Sequence, residues 1–475
     1  MTYAFSFDAR YCSGCKACQA ACKDKNNLPT GVLWRRVYEV SGGSWQQEGK
    51  AWTNNIFAYN LSVSCNHCLH PKCAGVCPTN AYVIREDGIV FLDTNKCVGC
   101  GYCAWACPYA APQYNAEAGH MSKCDFCYDN LEQGLPPACV AACPMRTLEY
   151  GEMENVIKGI PLWDTPSNSH PYPLPSFSRT QPRLAIVPHP AMTLPEQKVV
   201  ANLEEIRPNT RSTWDELPLL LFTLLTQLAV GGFWAMSVMF PFLWSAMDYD
   251  SIWLRLFPSI WVGASLGAGM LASFAHLGTK KNAWRVLQNV RKSSLSREIL
   301  FTGLFGWGWL FNALWPDSAF AWTPVTAILG IGLIYNMSQL YRFPAAPFWN
   351  TWRTNVSFML SALLLGITSM TALLEYESSL TNIQIPLMVW RMTAIGIAVL
   401  LTTQLAIHQK PPSSPNLLNS IWIGFMFTGI IVSLTMGVFH RLGLWHSTLL
   451  FLIVVAAESI GRWLFYAAQP SIVRR

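Results

Sequence analysis

Sixteen cysteines are the chain's only thiols, and all lie between Cys12 and Cys143 in four groups. The groups read Cys12-x2-Cys15-x2-Cys18-x3-Cys22, Cys65-x2-Cys68-x4-Cys73-x3-Cys77, Cys97-x2-Cys100-x2-Cys103-x3-Cys107 and Cys124-x2-Cys127-x11-Cys139-x3-Cys143. Three successive thiols with a trailing fourth is the spacing that ligates iron–sulfur cubanes in pairs. Pro78, Pro108 and Pro144 follow the fourth cysteine in three groups, and Lys23 takes that place in the first. Sixteen thiolates are what four [4Fe–4S] clusters require. Zinc is the competing metal, because paired C-x2-C steps also build tetrahedral sulfur sites. It needs neither the third step nor the trailing Cys-Pro. Such spacing reads as metal ligation by deprotonated thiols and not as a disulfide framework. The implied chemistry is one-electron transfer.

Three regions must position this chemistry. Residues 1–150 form the cluster domain, with each triplet expected to loop around a cluster and each fourth cysteine to open or sit on a short helix. Strand-like runs at 35–40, 56–59 and 89–92 connect the groups, the last after the turn signal Glu86-Asp87-Gly88. These few apolar residues make a small core, so the clusters serve as cross-links. Residues 151–212 carry ten of the chain's 30 prolines, a density that blocks long helices and marks a linker packed on a surface. Residues 213–475 hold eight apolar stretches near the roughly 20 residues that cross a bilayer. They run 217–245, 256–278, 299–315, 319–341, 355–374, 384–407, 417–439 and 444–467. Trp253, Trp284, Trp315, Trp322, Tyr341, Trp349 and Trp352 lie near their ends, as interfacial belts do.

Composition agrees with two unlike halves. Charged residues are 13% of the chain, about half the share of a soluble domain, and 52% is hydrophobic. A net charge of +6, without basic and aromatic residues interleaved, implies no nucleic-acid partner. The loop between spans two and three carries Lys280, Lys281, Arg285, Arg291, Lys292 and Arg297. Arg342, Arg353, Lys410, Arg474 and Arg475 fall on the same side, whereas Asp248, Asp250, Asp317, Glu375 and Glu377 fall opposite, with Arg255 and Arg441. By the positive-inside rule the cluster domain faces the cytoplasm of a multi-pass inner-membrane protein. Met1–Arg10 has no basic start or apolar run, so export would need another subunit's signal.

Several phrases together resemble the dimethyl sulfoxide reductase family of membrane molybdoenzymes. Residues 3–150 are similar to its four-cluster subunit at Cys12-Ser-Gly-Cys-Lys-Ala-Cys, Ser64-Cys-Asn-His-Cys, Cys107-Pro-Tyr-Ala-Ala-Pro-Gln-Tyr-Asn and Gly119-His-Met-Ser-Lys-Cys-Asp. From Thr213 the chain is similar to the eight-helix anchor at Ala229-Val-Gly-Gly-Phe, Ala275-His-Leu-Gly, Ser296-Arg-Glu-Ile and Glu458-Ser-Ile-Gly-Arg-Trp-Leu-Phe-Tyr. The likeness implies two subunits fused in one chain. The fold class is then α+β, a double ferredoxin-like iron–sulfur domain followed by an all-α eight-helix transmembrane bundle. It further implies cross-paired ligation: Cys12, Cys15, Cys18 with Cys143; Cys124, Cys127, Cys139 with Cys22; Cys65, Cys68, Cys73 with Cys107; and Cys97, Cys100, Cys103 with Cys77. Nitrate-reductase relatives replace one third-group cysteine by Trp and carry a three-iron cluster; here that group is complete, and four cubanes are expected.

A wire on a membrane bundle needs a lipid-soluble two-electron partner, and menaquinol or a related quinol is the natural one. Its oxidation releases two protons, so bases are needed. His276 ends span two and Glu298 opens span three, and the resemblance places quinol-site residues at both. Against this, His276 reads as an interfacial helix-end histidine and Glu298 as a first-turn acid favoured by the helix dipole. Arg285 is a candidate to steady a quinone oxygen, although bases in such a loop also serve as topology signals. Glu458 and Arg462 stand at i,i+4 and read as a buried intrahelical ion pair before a proton path. Arg391, Gln227 and Gln404 are ambiguous. Gly231-Gly232 and Gly263-x3-Gly267-x-Gly269 read as helix packing and not a dinucleotide site. His67, His70 and His120 read as hydrogen-bonding support near the clusters. Lys16, Lys23, Lys25, Lys72, Lys96 and Lys123 either raise cluster potentials or form a docking face. The expected partner is a separate large molybdopterin subunit reducing an S-oxide or N-oxide. The alternative is the same wire run in reverse, as a sulfite or sulfur-compound dehydrogenase that reduces quinone.

Overall fold

The computed structural model describes residues 2–156, 158, 160, 174, 177–193, 200–201, 216–246, 252–315, 319–344, 346–381, 386–409, 416–438 and 444–467. Asp248, Asp250, Asp317, Lys410, Arg441, Arg474 and Arg475 lie outside them. The chain divides into two compact units. One gathers the described residues of Met1–Arg211 with Gly278–Ser293, and the other those of Ser212–Leu277 with Ser294–Gln469.

The first unit is built from short elements. In chain order they begin β1 (Tyr3–Asp8), α1 (Ala17–Lys25), β2 (Arg36–Gly42), β3 (Trp45–Glu48), β4 (Ala51–Asn54) and β5 (Phe57–Val63). Then come α2 (Lys72–Val76), β6 (Tyr82–Ile84), β7 (Val90–Leu92), α3 (Tyr102–Ala106), β8 (Gln113–Asn115) and β9 (His120–Ser122). The run ends with α4 (Tyr128–Glu132), α5 (Ala138–Ala141), β10 (Leu148–Glu152), α6 (Met153–Val156), β11 (Leu184–Val187) and β12 (Val200–Ala201). β1 lies between antiparallel β10 and parallel β11. β2 and β5 pair from Arg36↔Val63 to Gly42↔Phe57, with β12 outside β2. Alternation in β1 turns Phe5 and Phe7 inward, and Phe5 stacks on Phe126 at 4.0 Å. β11 comes from the proline-rich segment, where four apolar residues between prolines suffice for an edge strand.

The short helices differ from expectation in one respect. In three groups the third cysteine sits on the helix and the fourth lies at or just past its end: Cys73 on α2, Cys103 on α3 and Cys139 on α5, closed by Cys77, Cys107 and Cys143. Proline after the fourth cysteine cannot extend a helix, so the chain turns there. With Lys23 in that place, α1 runs on through Cys22 to Lys25.

Among its described residues the second unit has eight helices: α7 (Leu217–Ala246), α8 (Ile252–Ala275), α9 (Ser294–Leu314), α10 (Ala319–Gln339), α11 (Trp352–Thr381), α12 (Leu387–Ile407), α13 (Asn416–Val438) and α14 (Leu444–Ala467). They occupy the eight expected stretches. Among the described residues six are long and apolar enough to cross a membrane; α9 and α10, of 21 residues each, are not among those six. Leu271, Trp307, Ile328, Met388 and Trp445 face outward, while Thr226, Gln227, Ser361, Thr368 and Ser433 are fully buried. Apolar residues outside and hydroxyls inside suit a bundle solvated by lipid. Gly231 allows the closest approach, since a Cβ there would lie 1.7 Å from the Ala362 carbonyl oxygen of α11.

Candidate functional site

The fold collects the sixteen thiols into four mixed quartets. Cys12, Cys15, Cys18 and Cys143 line one cavity, and Cys65, Cys68, Cys73 and Cys107 line another. Cys103 is within Coulomb reach of Cys100, Cys97 and Cys77, and Cys22 within reach of Cys139 and Cys127, with Cys124 beside Cys22 and Cys139. In each quartet three thiols come from one group and the fourth from another.

A shared local turn produces this arrangement. The residue before the second cysteine has positive φ in every group: Gly14 +70°, His67 +42°, Gly99 +73° and Phe126 +67°. Only two are glycine, so at His67 and Phe126 the surrounding packing imposes a conformation that L-residues disfavour. A second left-handed residue stands three positions after the fourth cysteine where proline follows it, at Asn80, Ala110 and Arg146. These turns aim backbone N–H groups at sulfur. Gly99 N donates to Cys97 Sγ, Phe126 N to Cys124 Sγ and Ala81 N to Cys77 Sγ, each at 3.4 Å.

The donor set fits a cubane. Two of the quartets ring cavities, and the ligating side chains that each quartet gathers are four thiols. Burial pushes the Cys22 and Cys68 thiols up to about 12 and those of Cys107 and Cys127 to about 11. Uncompensated, they would be neutral at pH 7; bound iron would supply the positive charge that keeps such ligands as thiolates.

Positive charge from the protein is also present, mostly from residues the sequence reading missed. Arg35, Arg36 and Arg183 are buried, and Arg35 donates to Ser62 Oγ at 3.2 Å and Ser64 Oγ at 3.0 Å. Ser62 Oγ is 3.4 Å from Cys18 Sγ. Burial pulls Arg35 down, but charge on Cys139, Cys124, Cys18 and Cys22, members of two quartets, outweighs it. Lys123 behaves alike: burial opposes its charge, and Cys65, Cys73 and Cys124 restore it. Its Nζ donates to the Val90 and Cys124 carbonyls. An Arg-Arg pair opening a strand was the available signal for Arg35.

The other lysines do different things. Lys23 closes its own loop by donating to the Leu28 and Pro29 carbonyls, Lys25 pairs with Asp129, and Lys96 with Asp93. Lys16 and Lys72 are exposed. His67 accepts from Val90 N–H at 3.0 Å, and burial first, then neighbouring Lys123, holds it well below its ordinary value, so it is neutral. His120 Nδ1 meets the Met121 carbonyl, and His70 is exposed. Arg285 lies in the thiol-bearing unit, its guanidinium 4.4 Å from the Trp284 ring.

In the helical unit His276 follows α8, its Nε2 3.7 Å from Glu216 Oε2, with both side chains buried. Glu216, an acid opening the first span, was not singled out from sequence. Glu298 is buried at the fifth residue of α9, past the first turn where the sequence reading put it, because the helix begins at Ser294; its charge reaches Tyr341. Tyr341 and Tyr466 hydroxyls meet at 2.5 Å. Glu458 and Arg462 depart from the intrahelical pair: Ser361 donates to Glu458 at 2.6 Å, and Arg462 donates to Gln227 at 3.0 Å and lies 3.8 Å over the Phe358 ring. Neutral partners on α11 and α7 reach each charge. Gln404 donates to Ser357, and Arg391 is exposed on α12.

Comparison with known proteins agrees with this division. Residues 56–153 match the 4Fe-4S dicluster domain family, and residues 210–468 the DMSO reductase anchor subunit (DmsC) family. Over 187 residues the sequence is 46% identical to one polypeptide of the anaerobic dimethyl sulfoxide reductase of Escherichia coli (strain K12), covering 39% of this chain and 89% of that protein. It is 47% identical, with the same coverage, to the probable anaerobic dimethyl sulfoxide reductase chain YnfG of that organism. A tetrathionate reductase subunit of Salmonella typhimurium is 44% identical over 143 residues, 30% of this chain and 54% of that protein. An iron–sulfur domain and an apolar helical bundle thus share one polypeptide, an integral membrane electron-transfer subunit of an oxidoreductase, and the chain therefore belongs to the dimethyl sulfoxide reductase anchor subunit family.

Proposed function

We propose that this chain takes electrons from menaquinol or a related quinol and delivers them to a separate molybdopterin subunit that reduces an S-oxide or N-oxide. The carrying observation is the gathering of sixteen thiols from four groups into four mixed quartets. Cys12, Cys15, Cys18 and Cys143 would hold one [4Fe–4S] cluster, and Cys22, Cys124, Cys127 and Cys139 a second. Cys65, Cys68, Cys73 and Cys107 would hold a third, and Cys77, Cys97, Cys100 and Cys103 a fourth. Bound cubanes supply single-electron storage at potentials set by charge and hydrogen bonds to sulfur. The relatives' printed names are those of reductases, which supports flow toward the partner and not the reverse.

His276 and Glu298 are the proposed proton acceptors. Glu216 beside His276 would orient the imidazole and stabilise it when protonated, and Arg285 would steady a quinone oxygen. The loop charges support a cluster domain on the cytoplasmic side. Anaerobically purified protein should contain about four irons per cluster, about sixteen in all, with equal acid-labile sulfide, and should bleach with quinol. Zinc without sulfide would end the reading. His276→Ala should abolish quinol-dependent substrate reduction while dye-linked activity of the assembled complex survives; normal quinol turnover would remove His276 from the mechanism.

A further inference from the structure

The segment Gly278–Ser293 joins α8 to α9 in sequence, yet it folds as part of the thiol-bearing unit. Its basic residues read as a topology signal, and its uncharged residues make a set of hydrogen bonds to the cysteine-bearing segments. Asn282 Nδ2 donates to the Cys97 carbonyl at 2.8 Å and to the Asn95 carbonyl at 2.9 Å. Seven positions on, Asn289 Nδ2 donates to the Cys77 carbonyl at 2.8 Å, and Ser293 Oγ to the adjoining Val76 carbonyl at 2.8 Å. Thr279 N and Oγ1 donate to the Val98 and Gly119 carbonyls at 3.1 and 3.0 Å. Asn80 donates back to the Gln288 carbonyl at 3.2 Å.

Two features mark this as a built contact. Asn282, Asn289 and Ser293 are 6%, 7% and 0% exposed, so their amides and hydroxyl are committed to these carbonyls and not to water. Gly278 permits the approach: a Cβ there would lie 2.1 Å from the Gly119 carbonyl oxygen. The contacts are also selective. Cys77 and Cys97 come from different groups but belong to one quartet, with Cys100 and Cys103.

We propose that Asn282 and Asn289 are positioning residues for the Cys77, Cys97, Cys100 and Cys103 quartet, a clasp from the inter-span loop that fixes two ligand-bearing backbones and tunes that one cluster. The inference rests on the ligand assignment proposed above. Carboxamides held against the carbonyls of two ligand residues set where those thiolates sit, and the support around a metal ligand commonly changes affinity or activity by about 10–100-fold when removed.

The test uses the full chain assembled with its catalytic partner, comparing the parent with Asn282→Leu, Asn289→Leu and the double variant. Redox titration followed by EPR should show one of four cluster signals shifted or lost and three unchanged. Quinol-dependent turnover should fall about 10–100-fold while dye-linked activity persists. Asn289→Gln, which keeps a donor, should recover part of the shift. Four unmoved signals with normal quinol turnover would overturn the clasp, as would equal disturbance of all four. Should the double variant fail to assemble, Ser293→Ala decides by the same readout on the Val76 contact. Iron-free parent protein would instead refute the ligand assignment, so the two failures are distinguishable.

Discussion

The two units bury charge in opposite ways. In the thiol-bearing unit the buried charged side chains are cations, Arg35, Arg36, Lys123 and Arg183, and among the described residues none forms a salt bridge with a carboxylate. In the helical unit buried acids predominate, Glu216, Glu298, Glu377 and Glu458, with His276 beside Glu216 and Arg462 near Glu458. Cations without carboxylates complement a group that is not polypeptide, and anionic sulfur supplies it. Acids held out of water beside an imidazole and tyrosines suit a site that exchanges protons. One region buries cations among thiols, and the other buries acids among hydroxyls and an imidazole.

The largest expected effect breaks the first half of that contrast. Lys123→Met takes a buried cation away from Cys65, Cys73 and Cys124, and Arg35→Met takes one away from Cys18, Cys22, Cys124 and Cys139. Removing one member of a buried charge pair costs about 3–5 kcal/mol. Each variant should lose iron or show lowered potentials for the two quartets its cation adjoins, measured by iron content and redox-poised EPR. Unchanged potentials in both would show that these cations merely fill space.

The second effect is confined to the helical unit. Glu298→Gln should lower quinol-dependent turnover by at least about 10²-fold, the contribution of a positioned acid–base group. Glu458→Gln keeps an acceptor for Ser361 and should leave that turnover at the parental level. The pair separates a titrating acid from one that serves packing. Equal losses would place both in one proton path.

What the sequence disclosed follows the range of the interactions involved. Cysteine spacing and apolar span length are local, so the four groups and eight helical stretches were legible, although α9 begins at Ser294 and not 299, and α11 runs on to Thr381 and not 374. The pairing of quartets came from family likeness; spacing supports it without saying which fourth cysteine goes where, because Cys22 and Cys124 are brought together only by tertiary structure. Arg35 and Arg183 were not singled out, since an Arg-Arg pair opening a strand is the only local sign for the first and nothing beside the second announces burial. The loop at 278–293 misled more directly: its bases obscured Asn282 and Asn289. At His67 and Phe126 the turn runs against residue preference, so no glycine marks it.

The smallest expected effect tests whether burial, and not positive charge alone, makes a cation matter to the thiols. Lys25 ends α1 just past Cys22, and its Nζ lies 2.6 Å from Asp129, a residue of α4 near Cys127 whose side chain is 50% exposed. The hydrogen bond from Lys25, more than its charge, holds Asp129 below the usual carboxylate range. A depressed acid contributes stability above its unfolded value, near pH 3.9, and loses it as pH falls through the folded value. Solvent screening limits an exposed pair to less than about 1 kcal/mol. Asp129→Asn should therefore lower the melting temperature slightly between about pH 5 and pH 8, with the difference from parent closing below about pH 4. Iron content should not change, because solvent around the partly exposed pair screens its charge; iron loss as large as in Lys123→Met would make partly exposed and buried cations equivalent and erase the distinction between them.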